Sequence, residues 1–391
     1  MINQRLKQLR LARGLSLDAL AAEMGGIVTK QALWKYEQGK AQPSPVVLNK
    51  LATALGVKAA HLWSEPSIRV KFIAYRKGSS LLKREQEKVE SFVKQGLEER
   101  IRLQELIHQS DNSDLPIQTL RVRTIEDAES AAKTIRKKWN LGQDPIASIT
   151  GVLEDHLIHV LEIDADERFD GISAVAYDEE DHVKAAAVIT RRKVAGERQR
   201  LNITHELGHL VLDISEEIDE EKAAFRFGTA FLAPAEVVVR EVGPKRAFIQ
   251  TEELLLLKRR FGMSIQALLY RLRNLGIITE SYYSQWCMDI NRLGWKKQEP
   301  LDLPPEQPQW LRQNVLRALG EGLMTLGEAE TMLGETMEVK QPLTLRQRRA
   351  FMKLPLEERR RILAEQAEKV AAYYKQDLEW KELQGGDIIE Y

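Results

Sequence analysis

Cysteine is nearly absent, Cys287 being the one thiol in 391 residues. An internal disulfide and any multi-cysteine zinc site are therefore excluded, which fits a reducing compartment, and the thiol itself is expected to pack in the interior. Long apolar runs are missing too. No stretch approaches the ~20 apolar residues of a membrane span, and the opening Met1–Arg10 is a charged amphipathic pattern with no apolar signal core. The expectation is a cytoplasmic protein with no membrane partner. There is no charge excess: Lys plus Arg and Asp plus Glu both number 58, so the chain as a whole advertises no nucleic-acid partner. Locally the balance differs. Residues 1–65 carry nine basic against four acidic side chains, a net charge of +5, which makes the N-terminal piece the basic end. The length suggests two to three domains, and 43% hydrophobic residues can fill real cores.

In the first sixty residues Leu6, Leu9, Leu15, Leu17, Leu20, Ala21, Met24 and Leu33 recur at helical spacing, broken at Gly14 and Gly25-Gly26. Five short helices are expected. Ser16 and Thr29 are suited to cap the second and third helices, and Pro43-Ser44-Pro45 starts another that runs to Gly56. Two short helices separated by a turn, the second beginning Thr29-Lys30-Gln31 and exposing Trp34-Lys35, fit a helix-turn-helix whose second helix enters the major groove. Gln31 can pair with adenine edges, and Lys30 or Lys35 with phosphate or guanine. The stretches from Leu20 to Met24, Trp34 to Lys40 and Leu48 to Val57 resemble the phage-repressor (XRE, Cro/repressor) DNA-binding family. The Gly25-Gly26-Ile27 turn is longer than that family usually has. The resemblance implies double-stranded operator DNA as partner, with Thr29, Lys30, Gln31, Trp34 and Lys35 facing it. The alternative is a small helical protein-interaction domain.

Residues 67–78 alternate Val70, Phe72 and Ala74 with charges, as a short extended segment does, and a long charged helix follows from Ser79 to His108. That helix packs on its own chain or on a second subunit. Thr124 caps a helix ending near Gly142, and three strand-like runs follow at 157–163, 171–177 and 185–190. They predict a small antiparallel sheet.

The element after these strands contains His205-Glu206-Leu207-Gly208-His209 inside the mostly apolar helical stretch Leu201–Leu212. On a helix, positions i and i+4 share a face, so both imidazoles can reach one ion while Glu206 points at the water that such an ion activates. This arrangement is that of zincins, and the reaction class is peptide hydrolysis. Two histidines leave a tetrahedral ion short of a protein group. No histidine follows His209, so a carboxylate is needed, and Asp213, Glu216, Glu217, Asp219, Glu220 and Glu221 are the candidates. His156 and His159 flank a strand and fit structural roles. Arg198 and Arg200 fit structural roles as well, though they and Tyr177 are also candidates to stabilise an oxyanion.

The runs Glu129–Ala132, Trp139–Ile146, Phe169–Ser173, Glu197–Arg200, His205–His209, Glu221–Pro234 and Gly294–Pro300 occur in the order seen in the ImmA/IrrE family of metallo-endopeptidases. The resemblance covers about residues 120–300. Its Glu-x-x-Ala-x-x-Phe pattern selects Glu221 as third ligand, with Glu220 as runner-up, and it implies Zn²⁺ as cofactor, Glu206 as catalytic base and a repressor-type protein as substrate. Phe225 stands where that family often has Asn.

Leu254–Leu257 to Leu275-Gly276-Ile277 forms two more helices around Gly262, and Glu299–Pro308 is a proline-rich segment expected to be extended. A helical pair follows around Leu316–Leu323 and Ala329–Leu333. Residues 347–391 resemble small bacterial antitoxins, and Leu356, Leu363, Ala367, Val370 and Tyr374 form an apolar stripe suited to a toxin partner. The expected fold is mainly α with an α+β zincin-like domain. Its parts are a repressor-like domain at 1–66, a helical connector at 67–120, the metallopeptidase domain with trailing helices at 121–298, a linker and helical pair at 299–346, and the tail at 347–391. The expected function is a DNA-binding regulator with zinc endopeptidase activity in a stress or toxin-antitoxin response. Two-fold repressors bind half-sites ~34 Å apart, so a homodimer is consistent with this reading. The rival is a non-catalytic regulator that keeps the metallopeptidase fold for structure and partner binding.

Overall fold

The computed structural model describes residues 2–64, 68–73, 83–107, 115–167, 169–337 and 345–376. Contacts divide the chain into two units, Met1–Glu335 and Thr336–Tyr391.

The first unit opens with α1 (Ile2–Ala12), α2 (Leu17–Glu23), α3 (Lys30–Glu37) and α4 (Pro45–Ala54), then a 3-10 turn at Ala59–Leu62 where the sequence predicts a fifth helix. The starts are written locally. Ser16, Thr29 and Ser44 accept the backbone N–H groups of Ala19, Ala32 and Val47, and Pro45 stands at the first turn of α4, where no intrahelical donor is lost. Gly25 and Gly26 both take positive φ (69° and 72°) in the α2–α3 turn, a backbone state that side chains disfavour. Leu6, Leu9, Leu20, Leu33, Leu51 and Leu62 fill the small core, at about 1.5–3 kcal/mol of hydrophobic stabilisation for each fully buried side chain. Arg10 and Glu37 add a buried two-pronged ion pair, at 2.5 and 2.9 Å, that ties α1 to α3.

Next come β1 (Arg69–Ile73), α5 (Lys83–Leu106), β2 (Leu120–Val122), α6 (Ile125–Lys138), α7 (Ile149–Asp155), β3 (Ile158–Ile163), β4 (Gly171–Tyr177), β5 (Val183–Arg191), α8 (Gly196–Val211), β6 (Leu212–Ile214) and α9 (Glu220–Leu232). The four-stranded sheet has the order β1-β4-β5-β3. It is mixed rather than antiparallel. β4 forms antiparallel pairs with β1 and β5, whereas β3 lies parallel to β5. The reason is topological: β4 leaves a gap beside β3, the β4–β5 hairpin fills it, and a strand antiparallel to β4 then has to run parallel to β3. β2 and β6 form a separate parallel pair that the strand-like runs do not announce.

The two sheet faces have different cores. Ile172, Ala174, Ala176, Ala185, Ala187 and Ile189 meet Val89, Val93, Leu97 and Ile101 of α5. Val175, Ala186 and Val188 share the larger core with Ile203, Leu207 and Leu210 of α8. The stretch assigned to a connector therefore supplies an edge strand and the covering helix of the α+β layer. The same α5 carries the N-terminal helices, with α1 packed along it and Arg5 bound to Glu98 at 2.5 Å, both buried.

Helices α10 (Ala235–Val242), α11 (Thr251–Phe261), α12 (Ile265–Asn274) and α13 (Glu280–Arg292) trail the sheet, and Cys287 on α13 is only partly buried. Residues 299–309 form no helix or strand but are pinned. Leu303 accepts from Gly196 N and donates to Glu197, Glu306 bonds Arg200 and Thr150, and fully buried Lys258 is shared by Glu197 and Glu299. The Leu303 carbonyl satisfies the Gly196 N–H, one of the donors that the start of α8 otherwise leaves bare. The unit closes with α14 (Trp310–Gly320) and α15 (Leu326–Leu333).

The second unit contains α16 (Leu345–Lys353) and α17 (Leu356–Gln376), and its Leu356 and Leu363 are exposed. The remainder of the stretch for which a resemblance to antitoxins is expected, 377–391, lies outside the described residues, as do the side chains of Val370 and Tyr374. No described helix is long and apolar enough to cross a membrane.

Candidate metal centre and nucleic-acid interface

Two helices build the centre. α8 presents His205 and His209 one turn apart, and α9 begins with Asp219 as N-cap, accepting from Lys222 N at 3.1 Å, so that Glu220 and Glu221 fall in its first turn. Carboxylates there are favoured by the helix dipole. The helices approach closely because Gly208 and Gly228 lack side chains. A Cβ on Gly208 would lie 3.1 Å from Ala224 Cα, and one on Gly228 would lie 3.1 Å from His205 N.

The predicted ligand set comes together: atoms of His205, His209 and Glu221 lie within 4.8 Å of one another. His205 Nε2 is 3.1 Å from His209 Nε2 and 3.3 Å from Glu221 Oε2, and His209 Nε2 is 3.8 Å from Glu221 Oε1. Tetrahedral zinc with bonds of about 2.1 Å needs donors about 3.4 Å apart, and the separations of His205 Nε2 from His209 Nε2 and from Glu221 Oε2 are near that edge, while His209 meets the other Glu221 oxygen. Borderline-soft imidazoles plus one carboxylate are also a donor set that zinc accepts. The residues fit the ion.

Glu220, the runner-up ligand, does something else. Its Oε1 is 3.1 Å from His209 Nδ1, the ring nitrogen turned away from the donor triangle, and a proton held there leaves Nε2 free to bind a metal. Sequence reasoning missed this role, since adjacent carboxylates look alike until the helix phase is known.

Glu206 is buried, 8% exposed, and lies against β4. A Cβ on Gly171 would sit 3.0 Å from Glu206 Cγ and 3.1 Å from its Oε1, tighter than ordinary contact, so the glycine gives that carboxylate room. Ser173 and Thr190, whose cross-strand neighbours put them on the same sheet face, bury hydroxyls with no hydrogen-bond partner. The oxyanion candidates are placed elsewhere. Tyr177 is six residues along β4 from Gly171, about 20 Å away, and stacks with Arg69. Arg200 is buried against Glu306 and the carbonyls of Ile146 and Ala147, and Arg198 pairs with Asp170 at 2.7 Å. His159 is fully buried, 3.1 Å from Gln104, and burial with nearby Arg100 holds it well below the ordinary imidazole range. His156 stacks on Trp139. Both are structural here.

Thr29, the N-cap of α3, and Lys30, Gln31, Trp34 and Lys35 on that helix are each exposed. Thr29 spends its hydroxyl on capping α3, and Lys30 pairs with Asp18 at 2.6 Å, a surface contact worth at most about 1 kcal/mol. Lys40 lies 4.5 Å over the Trp34 ring.

Residues 155–273 match the peptidase-family model described as IrrE N-terminal-like domain. Residues 6–62 match a helix-turn-helix model. The first matched stretch holds all three members of the donor triangle, and the second holds the exposed surface of α3. The SPbeta prophage-derived uncharacterized HTH-type transcriptional regulator YonR of Bacillus subtilis (strain 168) is 40% identical over 62 residues, which are 16% of this chain and 56% of that protein. The chain thus joins a helix-turn-helix region to an IrrE-like domain.

Proposed function

We propose that the protein is a DNA-binding regulator with zinc-dependent endopeptidase activity, residing in the cytoplasm. The observation that carries this reading is the donor triangle of His205, His209 and Glu221 beside the buried carboxylate of Glu206. Zinc held by these three side chains supplies Lewis acidity toward a peptide carbonyl. Glu206 takes the proton of the attacking water and returns it to the leaving amine, its carboxylate kept in place by the glycine floor at Gly171. Glu220 orients His209, and the interleaved glycines keep α8 and α9 close enough for the three ligands to converge.

Exposed Gln31, Trp34 and Lys35 on α3, with Thr29 and Lys30 at its start, face operator DNA in this reading. A repressor-type protein is the proposed substrate, cut in trans or through the chain's own N-terminal region, in a stress or toxin-antitoxin response. The exposed Leu356 and Leu363 of α17 are the proposed contact for a toxin-like partner, and a homodimer matches two-fold operator half-sites.

Elemental analysis together with peptide cleavage tests the reading. About one zinc per chain, lost in His209→Ala, and cleavage that disappears in Glu206→Gln while zinc stays bound are the expected results. Equal product yields from the wild type and Glu206→Gln, or no products from either, would leave a regulator that only binds.

A further inference from the structure

We propose that Phe225, Tyr270, Arg273 and Tyr283 form a substrate subsite beside the metal centre that takes a large apolar or aromatic peptide side chain. This rests on the peptidase reading and names a substrate class within it.

Phe225 follows Glu221 by one turn of α9, so it lies on the same helix face about 6 Å further along the axis. Other apolar residues of that helix, Ala223, Ala224, Phe227 and Phe231, are fully buried. Phe225 is not, although its ring has as much to gain from burial as those of Phe227 and Phe231. It meets Tyr270 of α12 edge-on, with ring centroids 5.0 Å apart and planes at 88°. Arg273 lies 4.4 Å from the Tyr270 ring and 4.5 Å from the Tyr283 ring of α13, so one guanidinium bridges two aromatic side chains. All four residues stay partly exposed.

The result is an aromatic wall built from three helices, starting one turn from a metal ligand and already held in shape. A ligand side chain that packs on a preformed wall avoids most of the ordering cost of binding. Chemistry also selects the direction. The approach on the other side of Glu221 displays exposed Glu216, Glu217, Asp219 and Glu220, which suits cations and not hydrocarbon. A peptide lying across the centre therefore has an apolar flank at Phe225 and Tyr270 and an acidic one before α9.

The test uses the zinc-loaded full chain and two peptidyl hydroxamates that differ only in carrying a benzyl or a methyl side chain next to the chelating group, titrated by calorimetry. The wild type is expected to prefer the benzyl compound by about tenfold or more. Phe225→Ala is expected to bring the ratio near one with methyl-compound affinity and zinc content unchanged, and Phe225→Leu, which keeps apolar volume, to retain most of the preference. A ratio near one in the wild type, or an unchanged ratio in Phe225→Ala, overturns the subsite while leaving the peptidase reading intact. Failure of both hydroxamates to bind zinc-loaded protein overturns the peptidase reading itself, and the subsite with it.

Discussion

His209 and Glu220 face each other through Nδ1 and Oε1 at 3.1 Å, on the side of the imidazole away from Glu221. A carboxylate in that position fixes ring orientation and tautomer without touching the metal. Glu220→Ala is therefore expected to weaken zinc binding by about tenfold, the low end of the effect of such outer partners because Glu220 is exposed. Competition against a chromophoric chelator measures it. Loss of zinc as complete as in Glu221→Ala would instead make Glu220 a ligand.

Gly171 and Glu206 make a second close contact. Adding a methyl group in Gly171→Ala puts a carbon 3.0 Å from Glu206 Cγ and 3.2 Å from the Ile189 carbonyl, so the glutamate has to move. A misplacement of about 1 Å costs a catalytic group about a hundredfold in rate, and the few tenths of an ångström needed here cost correspondingly less in the proposed peptidase. Zinc content should be unchanged while turnover falls several-fold, a pattern distinct from ligand loss. Full activity in Gly171→Ala would show that Glu206 tolerates the shift.

Arg5 bridges the N-terminal helices to α5 through Glu98 at 2.5 Å, with both side chains buried. Burial pushes the Glu98 carboxyl up, and Arg5 pulls it back down. Arg5→Ala leaves that acid buried without its main counter-charge, and a stability loss on the order of 3 kcal/mol is expected. Urea unfolding of the full chain reads it directly. A change under about 1 kcal/mol would mean that the acid is satisfied by other groups.

His61 lies 3.0 Å from Arg5, and its imidazole is held down to about 4 by burial first, then by Arg5 and Arg102. In the unfolded chain it titrates near its ordinary value of about 6.5. Between those two values the unfolded chain binds the extra proton, so stability is fully present above about 6.5 and declines as pH drops toward about 4. His61→Gln should flatten this part of the pH dependence. Unfolding midpoints of both proteins at about pH 7.5 and about pH 5 decide the matter, and parallel profiles would count against it.

What could be read in advance was local. Caps at Ser16, Thr29 and Thr124 each involve partners three residues away, and the i, i+4 spacing of His205 and His209 is a property of one helix. The segment holding β1 was legible as extended, but its pairing of Arg69 with Tyr177 joins residues far apart in the chain, with no periodicity to announce it. The same applies to the parallel β3–β5 ladder, which alternating apolar runs cannot distinguish from an antiparallel one. Glu299–Pro308 has the composition of a linker, and only the groups it meets at α8 make it a pinned strap.

By itself the amino-acid order determined several helix starts, and that two imidazoles and a neighbouring glutamate share one helix, while α7, α10 and α13 carried no announcing pattern and the expected fifth N-terminal helix is a 3-10 turn. Tertiary structure alone decided that Glu221 closes the donor triangle while Glu220 braces His209, that Gly171 makes room for Glu206, and that Phe225 meets Tyr270. The physical reason is range. Helix formation and capping act over one turn of chain, whereas a site is made by the approach of separate elements, set by how their buried faces and missing side chains fit together.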